Sequence, residues 1–287
     1  MAGVPERWLA IDVGGTKLDV GVVDGDGQVL ARRRTATAAA AEGGGEALAD
    51  ALVGLAGEVQ AEAGPARAAG VGCGGPMEGE LVSPLNIGAW RGFPLRAHLE
   101  AGLGLPVAVD NDAKALALGE GWRGAAVGVA DYLAMVVSTG VGGGIVLDGR
   151  LLNGALGNAG HIGHLIVEPG GAECGCGARG CLEAECSGLH LARRLGRPAA
   201  GAPPEVVART GRLVGRAVAS VCNLLDLRLA LVAGSVALGF GDPFFAAAQA
   251  ELDACARLAF SAGAVVRPGG LGPDGPLVGA AAVARRA

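Results

Sequence analysis

The chain has 287 residues, of which 51% are hydrophobic, 18% charged and 3% aromatic, with 53 glycines. Such a composition excludes global disorder and supplies enough chain for two domains, or one large one, with a sizeable core. A formal net charge of −5 argues against a nucleic-acid-binding face, which needs clustered Lys and Arg. The one tight basic run, Arg32-Arg33-Arg34, is expected as a solvated strand end.

In chain order, Met1–Arg7 lacks the basic start and apolar stretch of a secretory signal. Trp8–Val13 is an apolar run, followed by Gly14-Gly15-Thr16-Lys17, an alternating stretch from Leu18 to Val23, and the turn Asp24-Gly25-Asp26-Gly27. The pattern predicts strand, glycine-rich turn, strand, tight turn, strand. Helical spacing follows at Leu48, Leu52, Leu55 and Val59, then strand-like runs at Ala69–Cys73 and Val107–Val109. From Asp131 to Val137 the first sentence repeats: an apolar run, then Ser138-Thr139-Gly140-Val141-Gly142-Gly143-Gly144, then Ile145-Val146-Leu147 and the turn Asp148-Gly149. Uncharged stretches such as 132–147 are broken by polar residues and glycine, so no membrane span is expected and a cytoplasmic protein is read. Beyond lie helical spacing at Val214, Val218, Val221 and Leu225, strand-like runs at Leu229–Ala233 and Ala264–Val266, and a helical, Ala-rich Pro276–Arg286.

Strands alternating with helices define an α/β protein, and the repeated hairpin predicts an internal duplication with two lobes facing each other across a cleft. The expected division is a small lobe over 1–110, joined by a C-terminal helix at 272–287, and a large lobe over 111–271.

Three motifs carry chemistry. Asp12-x-Gly14-Gly15-Thr16 follows a buried strand, where glycines let backbone N–H groups approach a phosphate, although glycine hairpins are commonly just turns. Ser138–Gly144 offers two hydroxyls and a second glycine nest. Neither is a Walker A or a dinucleotide fingerprint, yet as a pair they suit a nucleoside triphosphate. Asp110-Asn111-Asp112 ends a short strand and enters an Ala/Leu helix. Asx residues there are good N-caps, but open α/β sheets also place ligands at such strand ends, and a carboxylate there can take a proton from a substrate hydroxyl.

Seven cysteines, an odd number, with three clustered, fit a reducing compartment and a metal. His164, Cys174, Cys176 and Cys181 form a Cys3His set for a closed, structural Zn2+ site within a glycine-rich loop. Cys73, Cys186, Cys222 and Cys255 are expected as small core residues.

Taken together, Asp12–Lys17, Asn111-Asp112-Ala113, Ser138–Gly144, Cys174–Glu183, Gly234-Ser235 and Gly279-Ala280-Ala281 resemble the ROK family (repressor, open reading frame, kinase) of the actin-like ATPase superfamily, over essentially the whole chain. The resemblance implies the two-lobed actin-like (ribonuclease H-like) fold and an ATP- and Mg2+-dependent sugar kinase of the glucokinase kind. It implies Asp112 as the base for the sugar's 6-hydroxyl and Asn111 as a sugar ligand. Gly14, Gly15, Thr16 and Lys17 correspond to the first phosphate loop, with Asp12 near Mg2+. Thr139, Gly140 and Gly142 match the second phosphate loop, and Gly234 the nucleotide side. His164 is implied as both zinc ligand and neighbour of the sugar pocket, Glu183 as a sugar-contacting carboxylate, and Gly75 and Asn86 as lining the sugar's other side. The expected partners are a sugar and ATP, with a homodimer as the assembly and no nucleic acid or membrane.

One position departs from the family pattern: the Glu usual in Gly-Glu-x-Gly-His is His161 here. A neutral imidazole offers one donor and one acceptor where a carboxylate only accepts, so the hydroxyl pattern it reads differs. Drift in a protein that still binds a common hexose remains one explanation; an aminohexose, a cyclitol or another modified sugar is the alternative. A regulator of the family would carry a DNA-binding module before the first phosphate loop, and only eleven residues precede Asp12. A catalytically silent sugar-binding protein is disfavoured by intact Asp12, Asp112 and both glycine loops. Polyphosphate serves some relatives as donor; without a basic groove, ATP is expected.

Overall fold

The computed structural model describes residues 6–286, so Met1–Pro5, on which most of the signal-peptide reading falls, lie outside the described residues. In chain order the elements are β1 (Arg7–Val13), β2 (Lys17–Asp24), β3 (Val29–Ala36), α1 (Thr37–Ala40), α2 (Gly44–Ala63), β4 (Ala69–Cys73), β5 (Met77–Glu78), β6 (Leu81–Val82), α3 (Leu95–Leu103), β7 (Val107–Asn111) and α4 (Asp112–Arg123). They continue with β8 (Tyr132–Val137), β9 (Val141–Leu147), β10 (Arg150–Leu151), a 3-10 turn (Ile162–His164), α5 (Leu182–Cys186), α6 (Gly188–Leu195), α7 (Pro204–Leu225), β11 (Leu229–Ala233), α8 (Ser235–Phe240), α9 (Asp242–Cys255), β12 (Val265–Pro268) and α10 (Gly275–Arg286).

Two five-stranded sheets carry the same order. One runs β3-β2-β1-β4-β7 and the other β10-β9-β8-β11-β12. In each, the first three strands form an antiparallel meander and the last two add in parallel, so the duplication read from the hairpins extends to whole sheets. This is the actin-like (ribonuclease H-like) α/β fold. Among the described residues no helix is long and apolar enough to cross a membrane.

The chain divides into two units: residues through Val127 with Asn153–Ala159 and the chain from Gly270, and Gly128–Leu152 with Gly160–Gly269. The first unit extends past residue 110, where the sequence placed a boundary, because α4 packs on α10; Gly119 and Gly279 bring those helices within backbone contact. Its core joins Leu9, Ile11 and Val20 of the sheet to Leu48, Leu52 and Val59 of α2, the helical spacing seen in the sequence. In the second unit Leu133 and Met135 pack with Val214 and Val218 of α7 and Phe244 of α9.

Gly70 on β4 shows how tightly α10 sits: a Cβ there would meet the carbonyl oxygen of Ala280 and lie 2.7 Å from the Ala284 nitrogen. Backbone cannot yield as a side chain does. Gly70→Ala is expected to lower the unfolding free energy by about 3 kcal/mol, measurable as a lower urea midpoint.

Two expectations are corrected. Arg32-Arg33-Arg34 is not merely solvated: alternation along β3 sends Arg33 to Glu58 and Glu62, while Arg32 and Arg34 both bond the fully buried carboxylate of Asp19 on β2. Burial alone would raise the Asp19 carboxyl, but hydrogen bonds from those two guanidinium groups hold it below its ordinary value. Cys73, Cys186 and Cys222 are buried as expected, whereas Cys255 is exposed, because it ends α9 rather than facing its packed side.

Candidate functional site

In the first unit the turn between β1 and β2 is closed by the Gly14 N–H donating to Lys17 O at 3.0 Å, which leaves Gly15, Thr16 and Lys17 exposed. The Thr37 hydroxyl at the start of α1 donates to Gly14 O at 2.7 Å and fixes the turn from behind. Gly15 lies against the side chain of Asn86, so the structure brings these two expected site residues together. Gly75 lies two residues beyond the end of β4, in a cis peptide bond to Pro76.

Asp12 stands on β1 directly opposite Asp19 of β2. Burial, and then the neighbouring carboxylates Asp112 and Asp19, raise its pKa from 3.8 to about 7. A carboxylate held at such cost suits a cation that would restore its charge, and Mg2+ accepts this kind of oxygen ligand.

The three Asx residues between β7 and α4 divide their labour. Asp110 pairs with Lys114 at 2.9 Å. Asn111 caps α4, its Oδ1 accepting from Ala113 N at 3.0 Å and Lys114 N at 3.4 Å. The helix start is thereby satisfied, and Asp112, at the head of α4, retains its carboxylate for chemistry apart from one bond from its neighbour Ala113 N. Desolvation by the surrounding protein raises its pKa against the opposing effect of that bond, which is the direction a general base near neutrality requires.

In the second unit the corresponding turn is Ser138-Thr139-Gly140, closed by Ser138 N donating to Gly140 O at 2.9 Å. Gly142 lies outside the turn, in β9 opposite Val136. The glycine run continues as strand because Ile162, ahead of His164, presses onto Gly143, where a Cβ would stand 2.8 Å from it. Gly234 precedes α8 at φ +101°, so close to the Val137 backbone that any side chain would collide.

Between these turns and α6 lies a cavity of about 490 Å3, walled by Thr139, Leu189, Ala192, Ala199, Val236 and Phe240. The Ser138 and Ser235 hydroxyls meet at 3.0 Å at its edge. An apolar hollow with hydroxyls at one end suits a nucleoside whose phosphates reach toward the turn. The α6 wall was not singled out in the sequence, because small apolar residues carry no chemical signature.

Glu183, on α5, accepts from Val141 N at 3.1 Å and touches Gly140, tying it to the second turn. His161 precedes the 3-10 turn and His164 ends it, with ring centres 6.1 Å apart.

His164, Cys174, Cys176 and Cys181 converge, their ligand atoms all within 4.8 Å of one another. Cys174 Sγ to His164 Nδ1 and Cys176 Sγ to Cys181 Sγ each measure 3.7 Å. Zn–S bonds of about 2.3 Å place tetrahedral thiolates roughly 3.8 Å apart, so the set fits zinc and leaves no open position. Burial first, then the adjacent thiols, push Cys181 up to about 12, so three thiolates gather here only around a cation. One zinc per chain is expected by elemental analysis of the purified protein, and Cys176→Ser is expected to lose it.

A model of the ROK family matches residues 8–287, and the chain belongs to that family. N-acetylmannosamine kinase of Escherichia fergusonii is 38% identical over 250 residues, 81% of this chain and 84% of that protein. The crystal structure of a ROK hexokinase from Thermus thermophilus matches at 36% identity and TM-score 0.81, covering 98% of each chain. A ROK glucokinase from Streptomyces griseus, solved with glucose and AMPPNP, matches at 29% identity and TM-score 0.83, covering 99% of this chain and all of that one.

Proposed function

We propose that this ROK-family sugar kinase transfers the terminal phosphoryl group of ATP to the 6-hydroxyl of a 2-acetamido sugar such as N-acetylmannosamine. The observation that carries the kinase reading is Asp112, a carboxylate that helix capping leaves unspent and desolvation raises. In this reading Asp112 takes the hydroxyl proton as the oxygen attacks phosphorus, and the Asn111 amide group, its oxygen committed to the cap, donates to a sugar oxygen. Gly14–Lys17 and Thr139-Gly140 receive phosphate oxygens, and the hollow beside Gly234 receives the nucleoside. Asp12 would hold Mg2+, which neutralises charge on the phosphates. The Cys3His set would hold a structural zinc that keeps His164 and Glu183 in place.

His161 and the 38% identical N-acetylmannosamine kinase support the acceptor. An acetamido group presents both an N–H and a carbonyl. A carboxylate can only accept, whereas a neutral imidazole can also donate to the carbonyl oxygen. The hexokinase and glucokinase relatives favour plain glucose as the second reading. Coupled ADP release across N-acetylmannosamine, N-acetylglucosamine, glucose and myo-inositol separates them. N-acetylmannosamine is expected to exceed glucose in kcat/KM by at least about tenfold, the worth of roughly one satisfied hydrogen bond. Glucose turned over best, and not improved further by His161→Glu, would overturn the acetamido assignment.

A further inference from the structure

Lys114 is one of the few buried charged residues, 3% exposed on α4 two positions after Asp112. Removing an ammonium from water is costly unless each of its donors finds a partner. Here its three donors meet three acceptors: Asp110 Oδ1 at 2.9 Å, Asn153 Oδ1 at 2.8 Å and Gly157 O at 2.9 Å.

Two of these acceptors belong to the short loop Asn153–Ala159, which packs with the first unit although the chain on either side of it belongs to the second. The loop is fastened at a second point, where Asn158 Oδ1 accepts from Met77 N at 3.1 Å and Asn158 Nδ2 donates to Met77 O at 2.8 Å. It is also closed on itself, Ala159 N donating to Asn153 O at 2.9 Å. Residues 153–157 are exposed, and Leu156 stands 79% open to solvent, so polar contacts rather than apolar burial hold the loop. A buried cation is thus committed to fixing the path of a loop that adds little to the core. Only Gly160 separates Ala159 from His161.

We infer that Lys114 is a positioning residue for the acceptor sugar: it fastens the 153–159 loop to the helix that begins with Asp112, and so fixes the backbone from which His161 projects. This rests on the sugar-kinase reading. The loop gives the sugar's recognition residue a fixed root, whereas the nucleotide hollow is built from α6, α8 and the Ser138–Gly140 turn and does not use it.

The test compares Lys114→Met with the double variant Asn153→Ala, Asn158→Ala, which loosens the loop while keeping the buried charge and two of its three acceptors, Asp110 Oδ1 and Gly157 O. Both are expected to raise the sugar KM on the order of tenfold, roughly the worth of a single hydrogen bond to a charged group. The ATP KM should stay within about twofold and the zinc content unchanged, with the Ala159 amide exchanging hydrogen faster. A purely structural clamp would move stability and leave the ratio of the two KM values alone. If Lys114→Met fails to fold, the double variant decides. A double variant with unaltered sugar KM, or with both KM values raised together, overturns the inference. Should the wild type phosphorylate none of the sugars, the proposed function fails. The loop assignment is then judged by exchange, and unaltered protection of the Ala159 amide in the double variant overturns it.

Discussion

Asp112→Asn is expected to lower kcat for the preferred sugar by about 10²–10⁴, the usual worth of a general base, equivalent to roughly 3–5 kcal/mol of transition-state free energy. The substitution is a clean probe because the start of α4 does not depend on it. Asn111 holds the cap, and an asparagine at 112 can still accept from Ala113 N as the carboxylate does at 2.8 Å. Thermal stability and sugar affinity by calorimetry should therefore stay near wild type while turnover collapses. The acid limb of the kcat/KM profile offers a second check. Desolvation raises the Asp112 carboxyl above its ordinary 3.8, and the base works only when ionised, so wild-type activity should fall with decreasing pH at a point above that value. That limb should be absent from the variant's residual rate. Undiminished turnover in Asp112→Asn would refute the assignment of the base.

The same three residues show how far the sequence reaches. A strand entering a helix through Asp-Asn-Asp was legible, and so was the choice between capping and chemistry; that Asn111 is the cap and Asp110 the partner of Lys114 was not. That division depends on where Lys114 lies: it claims Asp110 four residues back, but it is held there by Asn153 and Gly157, which are far away in sequence. The duplicated hairpin predicted two equivalent sheets, since periodicity and glycine turns are local signals. The Cys3His set was equally legible from spacing. Arg32 and Arg34 misled because a run of charges reads as solvated unless their acceptor is known, and Asp19 lies on a different strand. Gly142 misled because a glycine run reads as loop, whereas here the absence of side chains lets the segment before His164 press onto β9. The hollow beside Gly234 was invisible for the opposite reason: alanine, leucine and proline announce nothing until three elements fold them into one concave wall.

Asp12→Asn should separate function from stability in the opposite sense to most substitutions. The folded protein raises the Asp12 pKa from 3.8 to about 7, through burial and then through Asp112 and Asp19. A carboxyl whose pKa is raised on folding binds its proton more tightly in the folded state. Its contribution is most favourable below pH 3.8 and is lost progressively as pH rises to about 7. Three pKa units would correspond to about 4 kcal/mol, and because Asp12 keeps some contact with solvent, about 1–3 kcal/mol is the expected share. Urea unfolding of the ligand-free protein should therefore show wild-type stability declining by that amount between about pH 4 and pH 7, and level above it. Asp12→Asn, uncharged throughout, should lose this slope and be the more stable protein at pH 8. It should also lose the stabilisation that Mg2+ and a non-hydrolysable ATP analogue confer on the wild type, and most of its kcat. The charge that costs the empty protein stability is the one the cation needs, so a variant that is both more stable and fully active would show that Asp12 does not serve the metal.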